Sequence, residues 1–162
     1  VIDGKPLSFA EVKGEKGTLV MFICVHCPYV IHVESEIARV TATYRSKGIG
    51  SVAICSNDIQ KYPQDGPIYM KDQAQRNGFQ MPYLFDEDQE IAKLYDAACT
   101  PDFYLFDKED KLRYRGRLDG SRPGNESPLN GNDLRSAIDQ LLAGENIPER
   151  QLPSMGCNIK WK

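Results

Sequence analysis

The chain has 162 residues, a formal net charge of −3 and an ordinary mixture of apolar and charged residues. That length makes one domain with a substantial core the simplest organisation. Interspersed charges with no basic block argue against nucleic acid as a partner, and no apolar run approaches the ~20 residues of a membrane span. The cysteines are Cys24, Cys27, Cys55, Cys99 and Cys157, too few and too scattered for a disulfide-stapled secreted scaffold. With no secretory leader in view, the expectation is a cytoplasmic protein with one reactive cysteine pair, no nucleic-acid partner and no membrane partner.

In chain order, Asp3 and Gly4 predict a turn before Leu7 and Phe9, the end of a small hairpin. Residues 18–23 form a continuous apolar run of strand formers, the pattern of a central strand buried on both faces. The run ends in Cys24-Val25-His26-Cys27-Pro28, and Pro28 suits the first turn of a helix. Val30, Val33, Ile37, Val40 and Tyr44 then recur at helical spacing. Glu34, Glu36, Arg39 and Arg45 lie off that stripe, His32 reads as a surface residue, and Gly48 and Gly50 close the helix. Residues 51–55 predict a second buried strand, 56–67 a loop, and 68–77 a helix stopped by Gly78. A short strand follows at 81–85, then a helix over 89–97 with Ile91, Leu94 and Tyr95 facing inward. Thr100-Pro101 precedes a strong strand at 103–106, and 111–117 pairs back on it as a hairpin. Residues 119–131, rich in Gly, Pro, Asn and Ser, form a loop long enough to be functional. The last helix covers 133–142, with Leu134, Ile138, Leu141 and Leu142 on one face. The division expected is a domain over 1–147 and a C-terminal tail over 148–162, packed on the domain or extending from it, which holds Cys157 and Trp161.

Two thiols spaced Cys-x-x-Cys can close and reopen a small disulfide loop, and a helix N-terminus beside them favours the thiolate. The same spacing also serves as half a zinc site, or places two ordinary cysteines in a core. Zinc needs further ligands, and a second Cys-x-x-Cys or His pair is absent from the sequence; no metal and no cofactor are expected. Cys24, N-terminal in the pair, is the expected nucleophile and the more exposed thiol, and Cys27 the resolving thiol. A protonated His26 between them would stabilise the Cys24 thiolate. Cys55 ends a buried strand and reads as a core residue, Cys99 lies close to Pro101 in sequence, and Cys157 is a candidate third redox thiol that folds back from the tail.

The order strand, helix, strand, helix, strand, helix, strand, strand, helix, with Cys-x-x-Cys at the first strand–helix turn and Thr100-Pro101 before a later strand, resembles the thioredoxin fold. It resembles the larger α/β version of that fold, a mixed central sheet flanked by helices with a peroxiredoxin-type inserted strand and helix, here between Met81 and Ala97. The stretch Phe22-Ile23-Cys24-Val25-His26-Cys27-Pro28-Tyr29-Val30 is similar to a peroxiredoxin-like branch, related to alkyl hydroperoxide reductases and thiol-specific antioxidants. So are Ser56-Asn57-Asp58, Cys99-Thr100-Pro101-Asp102-Phe103, Ser121-Arg122-Pro123-Gly124-Asn125 and the ending from Gly156 to Lys162. The resemblance implies that Pro101 is cis and presents the backbone of Thr100 to the sulfurs and to an extended substrate segment. Arg122 and Asn125 are candidates for lining a substrate groove.

The implied activity is thiol–disulfide exchange, with a protein or small-molecule disulfide as substrate and a thiol as electron donor. The Pro and Thr or Ser that precede a peroxidatic cysteine in peroxiredoxins fit neither Cys24 nor Cys27, and Gly17 to Ile23 supplies no acid of the kind thioredoxin buries beneath its pair. A thiol peroxidase with a non-standard site and a redox-regulated binding module are the alternatives.

Overall fold

The computed structural model describes residues 4–162. Five strands form a mixed sheet: β1 (Gly17–Phe22), β2 (Ile49–Cys55), β3 (Tyr83–Phe85), β5 (Asp102–Asp107) and β6 (Leu112–Gly116). Their order is β3-β2-β1-β5-β6; β1, β2 and β3 run parallel, while β5 pairs antiparallel with β1 and β6 antiparallel with β5. β4 (Cys99–Thr100) and β7 (Cys157–Asn158) form a separate antiparallel pair.

The unbroken apolar run of β1 follows from its place at the centre. Successive side chains on a strand point to opposite faces, and both faces here are covered. Leu19, Met21 and Ile23 enter one core, with Val30, Val33, Ile37 and Val40 of α2 (Pro28–Arg45), Met70 and Ala74 of α3 (Pro67–Asn77), and Leu134 and Ile138 of α5 (Asn132–Leu142). Val20 and Phe22 enter the other, with Phe9 and Val12 of α1 (Phe9–Val12), Ala92 of α4 (Glu90–Leu94), Tyr104, and Ile159 from the C-terminal segment. Each such aliphatic or phenyl side chain contributes about 1.5–3 kcal/mol when fully buried.

Several expectations need correction. The hairpin at Asp3 and Gly4 lies partly outside the described residues, and the first regular element is the helix α1. Ile91 and Leu94 do not face inward: they are 38% and 78% exposed, and Ala92 is the buried residue of α4. A five-residue helix is too short for its periodicity to fix a face. Glu34 and Glu36, off the apolar stripe, are nevertheless buried. Glu36 pairs with Arg39 and with Arg135 of α5, and Glu34 with Arg76 of α3 and the amide of Gln73. These pairs tie α2 to its neighbours on both sides. His32 is half-buried rather than on the surface, and its Nε2 is buried without a hydrogen-bond partner.

The C-terminal segment is anchored at both ends of β7. Upstream, Leu152 O accepts from Arg117 N and Ser154 Oγ donates to Gly116 O. Downstream, Ile159 N donates to Ala98 O, Lys160 N to Asn57 Oδ1, and Lys160 O accepts from Asp58 N.

Candidate active site

β1 delivers Cys24 just past its end, and Cys27 is the N-cap of α2, with Pro28 at the first helical position. The fold thus sets both sulfurs at the N-terminus of an 18-residue helix. The Thr100–Pro101 peptide is cis. Thr100 stands over both cysteines: its Oγ1 is 3.5 Å from Cys24 Sγ, and its carbonyl oxygen accepts from the protonated Cys27 thiol at 3.5 Å. Cys24 is not an exposed thiol: it is as buried as Cys27, at 1% and 0%, with Thr100 against both sulfurs.

Asp65, which sequence reasoning missed, is fully buried at the end of a 3-10 turn, Pro63–Asp65. Its Oδ1 accepts from the main-chain N–H groups of Val25 and His26, its Oδ2 from Asn57 Nδ2, and Oδ2 also bonds His26 Nδ1. One side chain therefore holds the loop between the two cysteines. The signal available in the sequence was an acid between Pro63 and Pro67, in the turn-rich segment after a buried strand. Asp65 is the buried acid that Gly17 to Ile23 does not supply. His26 stacks parallel on Tyr62 with ring centroids 5.7 Å apart, and Lys160 Nζ lies over the other ring of that stack, Tyr62.

Cys24 Sγ, a ring nitrogen of His26 and a carboxylate oxygen of Asp65 lie within 4.8 Å of one another. The Asp65 oxygens of this trio are taken up by the N–H groups of Val25 and His26, the Asn57 amide and the His26 ring.

The two thiols act on one another and divide their acidity. Cys27 is pushed down from the ordinary thiol value by the Cys24 thiol, against its burial, with further help from the Cys157 side chain and from the N–H groups of Val30 and Cys157. Cys24 is pushed up by the Cys27 thiol, by burial and by the negative charge of Asp65, against a smaller opposite effect of Thr100. Of the two thiols, Cys27 is therefore the one whose ionisation the site favours, with the helix N-terminus beside it. Burial pushes Cys55 up to about 12, and Cys99 and Cys157 each up to about 11.

Thr100 does not hold its backbone free for an extended substrate: it pairs with Cys157 in the β4–β7 ladder. Arg122 and Asn125 lie on a cavity of about 310 Å³ that also borders Tyr29, Pro101, Phe103 and Met155. Asn125 Oδ1 accepts from Arg122 N and Asn125 Nδ2 donates to Gly120 O, so Asn125 braces the loop from within.

A mixed sheet with helices on both faces and Cys-x-x-Cys at a strand–helix turn opposite a cis-proline defines an α/β protein of thioredoxin-like fold. The chain belongs to the Redoxin family, which it matches over residues 2–132. It is similar to an uncharacterized conserved protein from Geobacillus kaustophilus, with 53% identity and a TM-score of 0.96 over 99% of this chain and 85% of that one. It is also similar to a hypothetical protein from Sinorhizobium meliloti 1021, with 41% identity and a TM-score of 0.96 over 99% and 87%. A secreted Mycobacterium tuberculosis disulfide oxidoreductase homologous to E. coli DsbE shares the fold, with 15% identity and a TM-score of 0.65 over 85% and 90%. No curated protein matches the chain. At the level the family defines, the protein is a thiol-based oxidoreductase. Among the described residues, no helix is long and apolar enough to cross a membrane.

Proposed function

We propose that the protein is a thiol–disulfide oxidoreductase working through Cys24 and Cys27, on a protein or small-molecule disulfide and with a thiol as electron donor. The observation that carries this reading is the placement of Cys24 and Cys27 at the N-terminus of α2, against Thr100 and the cis Pro101. It stabilises one thiolate, and a thiolate is the species that attacks a disulfide. The thioredoxin-like fold, shared with a named disulfide oxidoreductase, supports the same chemistry.

Cys27, the thiol whose ionisation the site favours, takes the proton from Cys24. The Cys24 thiolate then attacks one sulfur of the substrate disulfide, forming a mixed disulfide and releasing the other substrate sulfur as a thiolate. Cys27, deprotonated in turn, attacks Cys24 and expels the second substrate thiolate. The substrate disulfide is reduced to two thiols and the pair is oxidised to one disulfide; a thiol donor reverses both steps on the enzyme. Asp65 keeps the intervening loop in place throughout, because its bonds to Val25 and His26 involve no reacting atom.

The test is to mix reduced protein with oxidised glutathione and quench with an alkylating agent. The parent should form the Cys24–Cys27 disulfide, and Cys27→Ser should accumulate glutathione on Cys24. A parent that forms no disulfide and a variant that carries no adduct would contradict the proposal.

A further inference from the structure

The third thiol of the cluster comes from the C-terminal segment. Cys157 lies directly across the β4–β7 ladder from Thr100, the residue that covers both active cysteines. It packs against the core cluster that holds Cys24 and Cys27, and its side chain and main-chain N–H help to hold the Cys27 thiol low. Cys27 thus has a thiol on either side, Cys24 and Cys157. Cys157 alone of the three is half-buried; the other two are buried.

The placement is enforced by the chain around it. Gly156 lies so close to β4 that a Cβ there would sit 1.8 Å from Thr100 O. Ile159 is buried in the second core, and the main chain of Lys160 is bonded to Asn57 and Asp58. A free surface cysteine on a loose tail needs none of these contacts.

We propose that Cys157 is a third catalytic thiol, which exchanges with the Cys24–Cys27 disulfide at the sulfur of Cys27 and links the buried pair to thiols outside. This rests on the reading that Cys24 and Cys27 form a disulfide. The Cys157 thiolate attacks Cys27 Sγ, the Cys24–Cys27 bond breaks, and Cys24 leaves as a thiolate. The Cys27–Cys157 bond forms, and the proton given up by Cys157 ends on Cys24. No oxidant or reductant is consumed: one disulfide and one thiol become another disulfide and another thiol. An outside thiol then reduces the pair through Cys157, the sulfur nearest solvent, without entering the floor of the site.

The sequence makes the experiment simple to read. Cys24 and Cys27 share the tryptic peptide 17–39, whereas Cys157 lies on 151–160, Cys99 on 94–108 and Cys55 on 48–61. The full chain and its Cys24→Ser variant are oxidised across a glutathione series, alkylated, digested and analysed by mass spectrometry without reduction. In the Cys24→Ser variant, 17–39 should appear cross-linked to 151–160, and the cross-link should be lost when Cys157→Ser is added. In the parent, the intrapeptide disulfide of 17–39 and the cross-link to 151–160 should exchange with one another as the poise changes. A parent that forms the intrapeptide disulfide, with no cross-link to 151–160 in either protein, overturns the role of Cys157 and leaves the Cys24–Cys27 reading intact. Absence of both disulfides overturns both. A Cys157→Ser single variant read in the parent background guards against a folding defect in Cys24→Ser: it should retain the intrapeptide disulfide and lose only the cross-link.

Discussion

Cys24 Sγ and Thr100 Oγ1 lie 3.5 Å apart in the buried floor of the site. Either atom can donate while Cys24 is protonated; once Cys24 is ionised for attack the hydroxyl donates to the sulfur, and it opposes the burial and the Asp65 charge that disfavour that state. Thr100→Val keeps the shape and removes the donor. A net loss of about 1 kcal/mol, the usual worth of one hydrogen bond, corresponds to roughly a fivefold slower exchange with a model disulfide. Stopped-flow kinetics with oxidised glutathione checks this; an unchanged rate would show that the hydroxyl plays no part.

Asp65→Asn removes the charge that opposes ionisation of Cys24 and leaves the loop between the cysteines with an imperfect acceptor. The sign for chemistry is clear: without the neighbouring anion, ionising Cys24 becomes easier, and the pH profile of Cys24 alkylation moves to lower pH. The sign for stability is opposite. An amide cannot satisfy the N–H groups of Val25 and His26 and the Asn57 amide together, and the unfolding free energy in urea should fall by about 1–3 kcal/mol.

Asp119 governs acid stability in the loop at 119–131. Burial pushes its carboxyl up, but hydrogen bonds from Ser121 Oγ and from the N–H groups of Gly131, Ser121 and Asn130 outweigh that and hold it below its ordinary value of 3.8. A carboxyl depressed in the folded state stabilises the fold fully above the unfolded value, and that contribution is lost as pH falls from there through the folded value. Thermal unfolding followed below about pH 5 should therefore show a steeper decline for the parent than for Asp119→Ala, the variant being less stable at neutral pH. Parallel declines would remove Asp119 from the account.

Much of this arrangement was legible in the sequence, for physical reasons. β1 announced itself because a strand buried on both faces has no polar alternation, and Pro28 behind Cys27 marked the helix start. Asp65 was not legible: its partners Val25 and His26 lie about forty residues away in the chain, and a 3-10 turn carries no periodic pattern. The exposure of Cys24 was misjudged because the residue against its sulfur, Thr100, lies 76 positions along the chain. Cys157 could be noted as a candidate but not placed, since a two-residue strand offers no alternation to read.

Gly156→Ala tests the packing of the C-terminal segment on β4. The added methyl would meet Thr100 O at 1.8 Å and Pro101 Cδ at 3.2 Å. Relief requires the C-terminal segment to shift from β4, at a cost of about 1–3 kcal/mol for an overpacked site. Alkylation of Cys27 in the reduced protein should speed up, because its Cys157 neighbour moves away with the segment. An unchanged rate together with unchanged stability would contradict the close packing of Gly156 on Thr100.

The most direct measurement is the reduction potential of the Cys24–Cys27 pair, read by alkylation and mass shift across a series of glutathione ratios, with Cys24→Ser beside the parent. The account predicts a reversible two-electron transition in which Cys24 and Cys27 change state together as an intrapeptide disulfide of 17–39, a species absent from the variant. A pair that stays reduced, or stays oxidised, at every ratio would contradict it.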